Sequence, residues 1–366
     1  MEGTSVLITG GAGFIGSNLA EKFLSMGRQV HILDNLSRAG VERNLLRLKE
    51  KYGGLLGVDI ADLRNFNSLR RAVSRAEAVF HLAAQVAVTT SLTDPAMDFE
   101  VNARGTLNLL EAVRSAAQVS KRPAPPIIFT STNKVYGALE DMRLAANGTR
   151  YLPESPEVLA FGVNEKRPLA FHSPYGCSKG AADQYVLDYA KTFGLTASVF
   201  RMSCIYGPHQ MGTEDQGWVA HFLISAIEGR AITIYGDGKQ VRDVLFVGDL
   251  VDAFLLGLKH IEKISGRAFN IGGGPGNSLS ILEFLDLIEE VRGERPEVFF
   301  AGWRRADQKY FISDTRNFTR ATGWAPRTDV ITGVGRLHDW LMDSLDHGSA
   351  IFAEKKTGDV SAGVGP

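Results

Sequence analysis

Only two cysteines, Cys177 and Cys204, occur among 366 residues. Two thiols so placed give neither a disulfide framework nor zinc-ligand spacing, and no metal is expected. An excess of charge is missing too: 40 Lys and Arg face 41 Asp and Glu, a formal net charge of −1. So balanced a chain has no field to attract nucleic acid or an anionic lipid surface. No apolar run approaches a membrane span, and a strand pattern begins almost at once, so neither an anchor nor a signal peptide is expected. A cytoplasmic globule is the simplest expectation, with 44% hydrophobic and 22% charged residues. The length suits one large domain or two closely joined ones.

What is present begins with Ser5-Val-Leu-Ile-Thr9, short and mostly apolar, the pattern of a strand buried on both faces. It runs into Gly10, Gly13 and Gly16, spaced G-x-x-G-x-x-G, while Phe14 and Ile15 open a stretch of helical periodicity. Glycine permits a tight strand-to-helix turn and close approach of backbone to a pyrophosphate, which would rest on the free N–H groups of the helix start. A second strand, Gln29 to Asp34, ends in a carboxylate 18 residues after Gly16. An acid there takes the adenosine ribose hydroxyls and repels a 2′-phosphate, which favours NAD. Arg38 could bind such a phosphate and leaves NADP open.

Tyr175 and Lys179 stand four residues apart in Ser173-Pro-Tyr-Gly-Cys-Ser-Lys179, so on a helix they share a face. A free phenol, with a pKa of about 10, is a poor base near neutrality. A neighbouring ammonium and an oxidised nicotinamide both favour the phenolate. Tyr-x-x-x-Lys alone recurs by chance; after a dinucleotide fingerprint it describes a phenol that moves protons beside a nicotinamide that moves hydride.

Strand patterns at 55–60, 78–83, 126–132 and 197–201 alternate with helical patterns at 62–73, 99–117 and around Tyr175. The expected fold is α/β, a Rossmann-type doubly wound parallel sheet with a smaller C-terminal α/β substrate lobe. Boundaries fall at 1–200 for the dinucleotide half, with a return near 244–275. The lobe takes 201–243 and 276–345, and 346–366 forms a frayed tail. Leu139 to His172 is long, polar and poorly periodic, and looks like an inserted loop or lid. His81 ends an apolar strand and reads as a satisfied buried histidine. Cys177 reads as a small packed side chain, and Trp218 and Trp303 as core before base-stacking platforms. Arg242 has Asp243 and Asp249 as alternative surface partners.

The elements Thr9-Gly-Gly-Ala-Gly-Phe-Ile-Gly16, Asp34-Asn-Leu-Ser-Arg38, Asp59-Ile60, His81-Leu-Ala-Ala-Gln85, Tyr175-x-x-x-Lys179 and Gly238-Lys-Gln-Val-Arg-Asp243 resemble the extended short-chain dehydrogenase/reductase family, in its nucleotide-sugar epimerase and dehydratase branch. The resemblance spans roughly 4–342. Within the branch, Gln85 to Ser91, Pro95 to Glu100, Ser131 to Gly137, His172 to Gln184 and Asp215-Gln-Gly-Trp218 are similar to a subgroup acting on C2 of CDP-hexoses. One departure is informative. Dehydratases of the branch carry Thr-Asp-Glu where this chain has Thr132-Asn133-Lys134. An amide cannot donate a proton as an acid, and an ammonium cannot act as the carboxylate base, so dehydration is disfavoured.

The resemblance implies bound NAD, a nucleotide-diphosphate sugar with CDP-hexose favoured, and redox-neutral inversion. Tyr175, Lys179 and Thr132 would be catalytic, with Ser131 or Asn133 sharing Thr132's hold on the sugar hydroxyl. Asn35, Ser37 and Arg38 would join Asp34 around the ribose, and Asp59 and Ile60 would meet the adenine. Ala83, Ala84, Gln85 and Asn102 would line the pyrophosphate and nicotinamide ribose. Val86, Thr89, Lys134 and Ser203 would line the sugar, with Arg242, then Arg305, for the diphosphate. A 4-epimerase, a net NADPH-dependent reductase and a non-catalytic dinucleotide sensor are the alternatives. Helices near 99–117 and 176–193 would pair copies into a homodimer or homotetramer.

Overall fold

Runs of β-branched and aliphatic residues become seven parallel strands: β1 (Ser5–Thr9), β2 (Val30–Asp34), β3 (Leu56–Ile60), β4 (Ala76–His81), β5 (Ile127–Thr132), β8 (Ala197–Met202) and β12 (Ala268–Ile271). The computed structural model describes residues 4–120, 123–304 and 307–346; the expected tail from 347 onward lies outside the described residues. The strands lie in the order β12-β8-β5-β4-β1-β2-β3, so the direction of winding reverses between β1 and β4. Ligands in such sheets bind beyond the carboxyl ends of the strands, at that reversal.

Alternation of side chains across the pleat explains why the strands are apolar on both faces. Val6 and Ile8 of β1 enter one core, which holds α1 (Phe14–Ser25), α2 (Val41–Tyr52) and α10 (Val247–Lys259) against the sheet. Leu7 enters the other, shared with α3 (Phe66–Val73), α6 (Gly105–Ser120) and α8 (Ser173–Phe193). In the first core Phe80 and Phe200 both pack on Phe254 at 5.7 Å between ring centroids. Each such buried ring contributes about 1.5–3 kcal/mol through removal from water.

Two short helices, α4 (Val88–Thr93) and α5 (Pro95–Phe99), and a π turn at Glu100–Arg104 lead into α6. The helix expected at 99–117 therefore begins later, behind that π turn. Strand β4 likewise stops at His81, two residues short of expectation, which frees Leu82 to Gln85 for the loop at its carboxyl end.

A second assembly follows β8. Strands β9 (Cys204–Tyr206), β11 (Val241–Phe246), β13 (Ser278–Ser280) and β15 (Tyr310–Phe311) form one sheet, and β10 (Ile232–Tyr235) pairs with β14 (Val298–Ala301). Its core is built from α9 (Trp218–Ile227), α12 (Ile281–Arg292) and α14 (Val330–Asp346). A capping box between Ser280 and Glu283 starts α12. The short helices α11 (Ile261–Ile264) and α13 (Arg316–Thr322) complete the chain.

The segment 139–172 differs from the loose loop or lid expected. It folds into a hairpin, β6 (Leu144–Asn147) with β7 (Arg150–Pro153), and helix α7 (Pro156–Phe161). Tyr151 donates its amide to Lys239 O at 3.0 Å and its hydroxyl to Asp237 at 2.6 Å, and Arg150 pairs with Glu283 at 3.1 Å. None of this segment lines the central cavity.

Candidate active site

A cavity of about 640 Å3 opens at the carboxyl ends of β1, β2, β4, β5 and β8, a volume in the range of small-molecule sites. Gly10, Gly13, Phe14, Ile15 and Gly16 form its floor. Gly10 has φ +71°, and a Cβ there would stand 2.7 Å from Ala83 N. A Cβ on Gly16 would stand 2.2 Å from Gly10 O, so only glycine lets this turn close. Gly13 caps α1 without a side-chain acceptor, which leaves the first amides of the helix directed at the cavity floor. A cradle of this kind fits a dinucleotide pyrophosphate.

Asp34, Asn35, Ser37 and Arg38 line the ribose end. The Asp34 carboxylate accepts from Ala12 N at 3.0 Å and Leu36 N at 2.9 Å, while burial raises its pKa. Asp59 and Ile60 do not line the cavity, contrary to expectation. They are still inside β3, where Ile60 pairs with Asp34, and Asp59 turns to His31 at 3.1 Å. The loop beyond the strand end begins only at Ala61, so Ala61, Asp62, Leu63 and Arg64 line this part of the cavity instead. Asn35 donates to Asp62 at 2.9 Å, and the Arg64 hydrogen bonds hold the Asp62 carboxyl down at about 2. The expected strand end at Ile60 is where β3 stops, so Asp62 and Leu63 were legible from the rule that ligands sit past strand ends, had that rule been applied to the residues after Ile60.

Ala83, Ala84, Gln85 and Val86 line the opposite wall, but Asn102 and Thr89 do not. Asn102 is buried behind that wall and accepts from Gln85 N at 2.9 Å while donating to Gln85 O at 3.0 Å. It shapes the wall without being part of it. Thr89 turns its hydroxyl into the protein on α4.

Tyr175, Lys179, Thr132, Ser131, Asn133, Lys134 and Ser203 come together at the far end. Tyr175 hydrogen-bonds Thr132, yet burial outweighs that bond and pushes the phenol up to about 12. Lys179 donates to Thr130 O at 2.7 Å, lies 4.3 Å from the Phe129 ring centroid, and is brought down to about 7 by burial. The expectation that Lys179 itself lowers the Tyr175 pKa needs correction. Burial dominates the phenol in the chain itself, and a bound pyridinium would add a positive charge that favours the phenolate. Ser131 lines the cavity, and its Oγ is buried with no partner among the described residues.

Arg242 is not a lining residue. Its guanidinium donates to Val241 O and to Asp307 Oδ1, both at 2.8 Å, so its partner is neither Asp243 nor Asp249. Lys134, which lines the cavity, is 3.5 Å from the same Asp307 oxygen. Arg305 lies outside the described residues. Cys177 is exposed rather than packed, whereas Cys204 lines the cavity beside Trp218 at 3.4 Å. Trp303 is half exposed, so neither tryptophan is simply core. His81 is the satisfied buried histidine expected, between Thr9 at 2.7 Å and Thr106 at 3.0 Å.

Sequence comparison gives a 46% identity over 343 residues, 92% of this chain and 98% of the relative, with a CDP-paratose 2-epimerase of Salmonella typhi. Among solved structures, a UDP-glucose 4-epimerase of Thermotoga maritima with UDP-glucose superimposes with a TM-score of 0.79 at 30% identity, covering 93% of this chain and 100% of that one. A UDP-glucose 4-epimerase of Thermus thermophilus in complex with NAD gives 0.75 at 32% identity, covering 93% and 99%. Residues 6–272 match the NAD dependent epimerase/dehydratase family. With the glycine cradle, the Tyr175–Thr132 contact and this match over most of its length, the chain belongs to the NAD dependent epimerase/dehydratase family.

Proposed function

We propose that this NAD-dependent nucleotide-sugar epimerase is a CDP-paratose 2-epimerase, converting CDP-paratose to CDP-tyvelose. The observation that carries the reading is the 46% identity across 92% of the chain with an enzyme of that name. Asn133 and Lys134, in place of an acid–base pair after Thr132, support inversion over dehydration.

An unactivated carbinol carbon cannot be inverted by direct deprotonation, because nothing stabilises the carbanion. Bound NAD, held by the glycine turn and Asp34, would supply a hydride acceptor for the carbinol carbon and a hydride donor for the opposite face of the carbonyl. Tyr175 accepts the hydroxyl proton as the carbonyl forms and gives it back as the alcohol is restored. Thr132 and Ser131 hold the sugar oxygen within reach of that phenol. Lys179, donating from the floor, keeps a positive charge beside the pair and offers a hydrogen bond to the nicotinamide ribose. Lys134 lies at the sugar wall. Arg242 reaches the diphosphate only after leaving Asp307, which makes it the more distant ligand of the two.

Residues 1–200 with 244–275 carry the cofactor, and 201–243 with 276–345 carry the nucleotide sugar. Exposed Phe99, Tyr185 and Phe193 support pairing of copies through the helices at 99–117 and 176–193. A cytoplasmic location belongs to the same reading. Among the described residues no helix is long and apolar enough to cross a membrane.

Purified protein incubated with CDP-[2-2H]paratose and no added reductant tests the reading. Formation of CDP-tyvelose with deuterium retained at C2 is expected, and Tyr175→Phe should reduce turnover about 100- to 10,000-fold. Inversion at C4, or stoichiometric consumption of added NADPH, overturns it.

A further inference from the structure

Asp98 is a buried carboxylate for which the proton-transfer scheme has no use, and its surroundings are built with care. It lies on α5, one exposed turn from the surface, with its own side chain facing inward. Ser178, one residue before Lys179, donates its hydroxyl to Asp98 Oδ2. Asn102, raised into place by the π turn, shares its amide hydrogens among Asp98 Oδ1 at 3.2 Å, Ser178 Oγ at 3.0 Å and Gln85 O at 3.0 Å. A π turn inside a helix often marks such a placed side chain. From Asn102 the hydrogen bonds continue in one sense. Ala83 N donates to Thr9 Oγ1, Thr9 to His81 Nδ1, His81 Nε2 to Thr106, and Thr106 to Asn102 O at 2.6 Å. His81, with its pKa pushed down to about 3 by burial, is the neutral relay this direction requires. One buried network therefore ties the catalytic helix to the Ala83–Gln85 wall.

We infer that Asp98 is a positioning residue of the Tyr175–Lys179 pair, joining the helix that carries both to the cofactor wall and placing a fixed negative charge behind them. The inference rests on the reading above, in which Tyr175 and Lys179 handle the proton. Charge as well as geometry is at stake. The groups around Lys179 are Asp98 on α5, Asp183 and Tyr175 on its own helix, His81 on β4, the Phe129 ring and Thr130 carbonyl on β5, and Arg201 on β8, already engaged by Asp183. Asp98 supports the ammonium of Lys179 and opposes the phenolate of Tyr175. Removing its charge lowers both pKa values together. Activity needs phenolate and ammonium at once, so both limbs of the pH profile move the same way.

Asp98→Asn keeps the volume and an acceptor for Ser178, and Ser178→Ala keeps the charge but breaks the link. The NAD-loaded variants are assayed for turnover of CDP-paratose against pH, with Tyr175 ionisation followed in parallel by phenolate absorbance after subtraction of a Tyr175→Phe spectrum. Asp98→Asn should move both limbs, and the Tyr175 titration, to lower pH by about one unit. Ser178→Ala should lower kcat about tenfold with both limbs in place. Asp98→Glu should restore the parental limbs. An unshifted profile and titration in Asp98→Asn overturn the inference. Should Asp98→Asn fail to fold, Ser178→Ala decides: a kcat equal to the parent's refutes the positioning role. Failure of the underlying reading looks different, since Tyr175→Phe would then retain full turnover.

Discussion

Arg201 and Asp183 form an ion pair that ought to be expensive to break from one side only. The guanidinium of Arg201 on β8 donates to both oxygens of Asp183 on α8, at 2.9 Å each, with side-chain exposures of 5% and 0%. Its third nitrogen donates to Tyr136 at 3.1 Å, and Tyr136 donates in turn to Asn270 at 2.8 Å. Arg201→Met leaves the buried Asp183 carboxylate without its guanidinium, with the Gln184 amide at 2.9 Å and the charge of Lys179 as its remaining support. Uncompensated buried charge of that kind costs about 3–5 kcal/mol, and the pair removed together, Arg201→Met with Asp183→Leu, costs far less. With a urea slope of about 3 kcal/mol/M, the single variant should unfold about 1–1.7 M earlier. A double-mutant cycle by urea denaturation, with NAD absent throughout, measures the coupling. A single-variant loss below about 1 kcal/mol, or a double variant as unstable as the single, refutes the claim that this pair anchors the catalytic helix to the sheet.

Gly16→Ala should fold but lose cofactor, because its Cβ would stand 2.2 Å from Gly10 O and force the pyrophosphate turn open. The dinucleotide released on denaturing the purified variant measures that loss; a parental yield contradicts it. Asp62→Ala should weaken NAD binding severalfold in a titration while Asp59→Ala leaves it unchanged, and the reverse order would restore the adenine wall to β3. Lys179→Met should remove a pH dependence. The folded Lys179 pKa is depressed to about 7, against 10.4 unfolded, so between those values the unfolded chain holds the extra proton and parental stability rises with pH. Melting of the Met variant against pH should lack that rise, and an identical slope in both proteins would count against the buried position.

How much of this was legible in the residues depends on what each signal reports. The glycine turn could be read because three glycines and a following helix answer one backbone demand, and Gly10 and Gly16 meet it in the structure. The parallel sheet followed from alternating patterns, and the expected return near 244–275 contains Ala268–Ile271, which the structure sets at the sheet's edge beside β8; the strand order itself comes from the structure. Which residue around a strand end meets the cavity was less visible. The expected end of β3 at Ile60 is right, but Asp59 and Asp62 lie on either side of it and the sequence does not say which one faces the cavity. The structure stops β3 at Ile60, and Asp62 is the residue that meets Asn35. Asp98 was out of reach for another reason. Its partner Ser178 lies 80 residues away in sequence, and periodicity carries no information about contacts of that separation.

Position and charge are supplied from different sources in this site, and that division bears on how the enzyme would stay idle without substrate. Burial first, and the Asp98 charge after it, drives Tyr175 up to about 12, while burial brings Lys179 down to about 7 against the support of Asp183 and Asp98, so the phenol holds its proton and the ammonium is held less firmly. A phenol that holds its proton can hydrogen-bond the sugar hydroxyl but cannot take its proton. The cost of burying them charged has to be met by a positive ring on the cavity side and a negative carboxylate behind, and Asp98 and Asp183 are the carboxylates available. A bound nicotinamide would carry no ring charge once reduced, so Tyr175 would regain its preference for the proton while the sugar is a ketone. Reversal of the proton's direction is then tied to the redox state of the ring, which is what a reaction that removes hydride and must give it back requires.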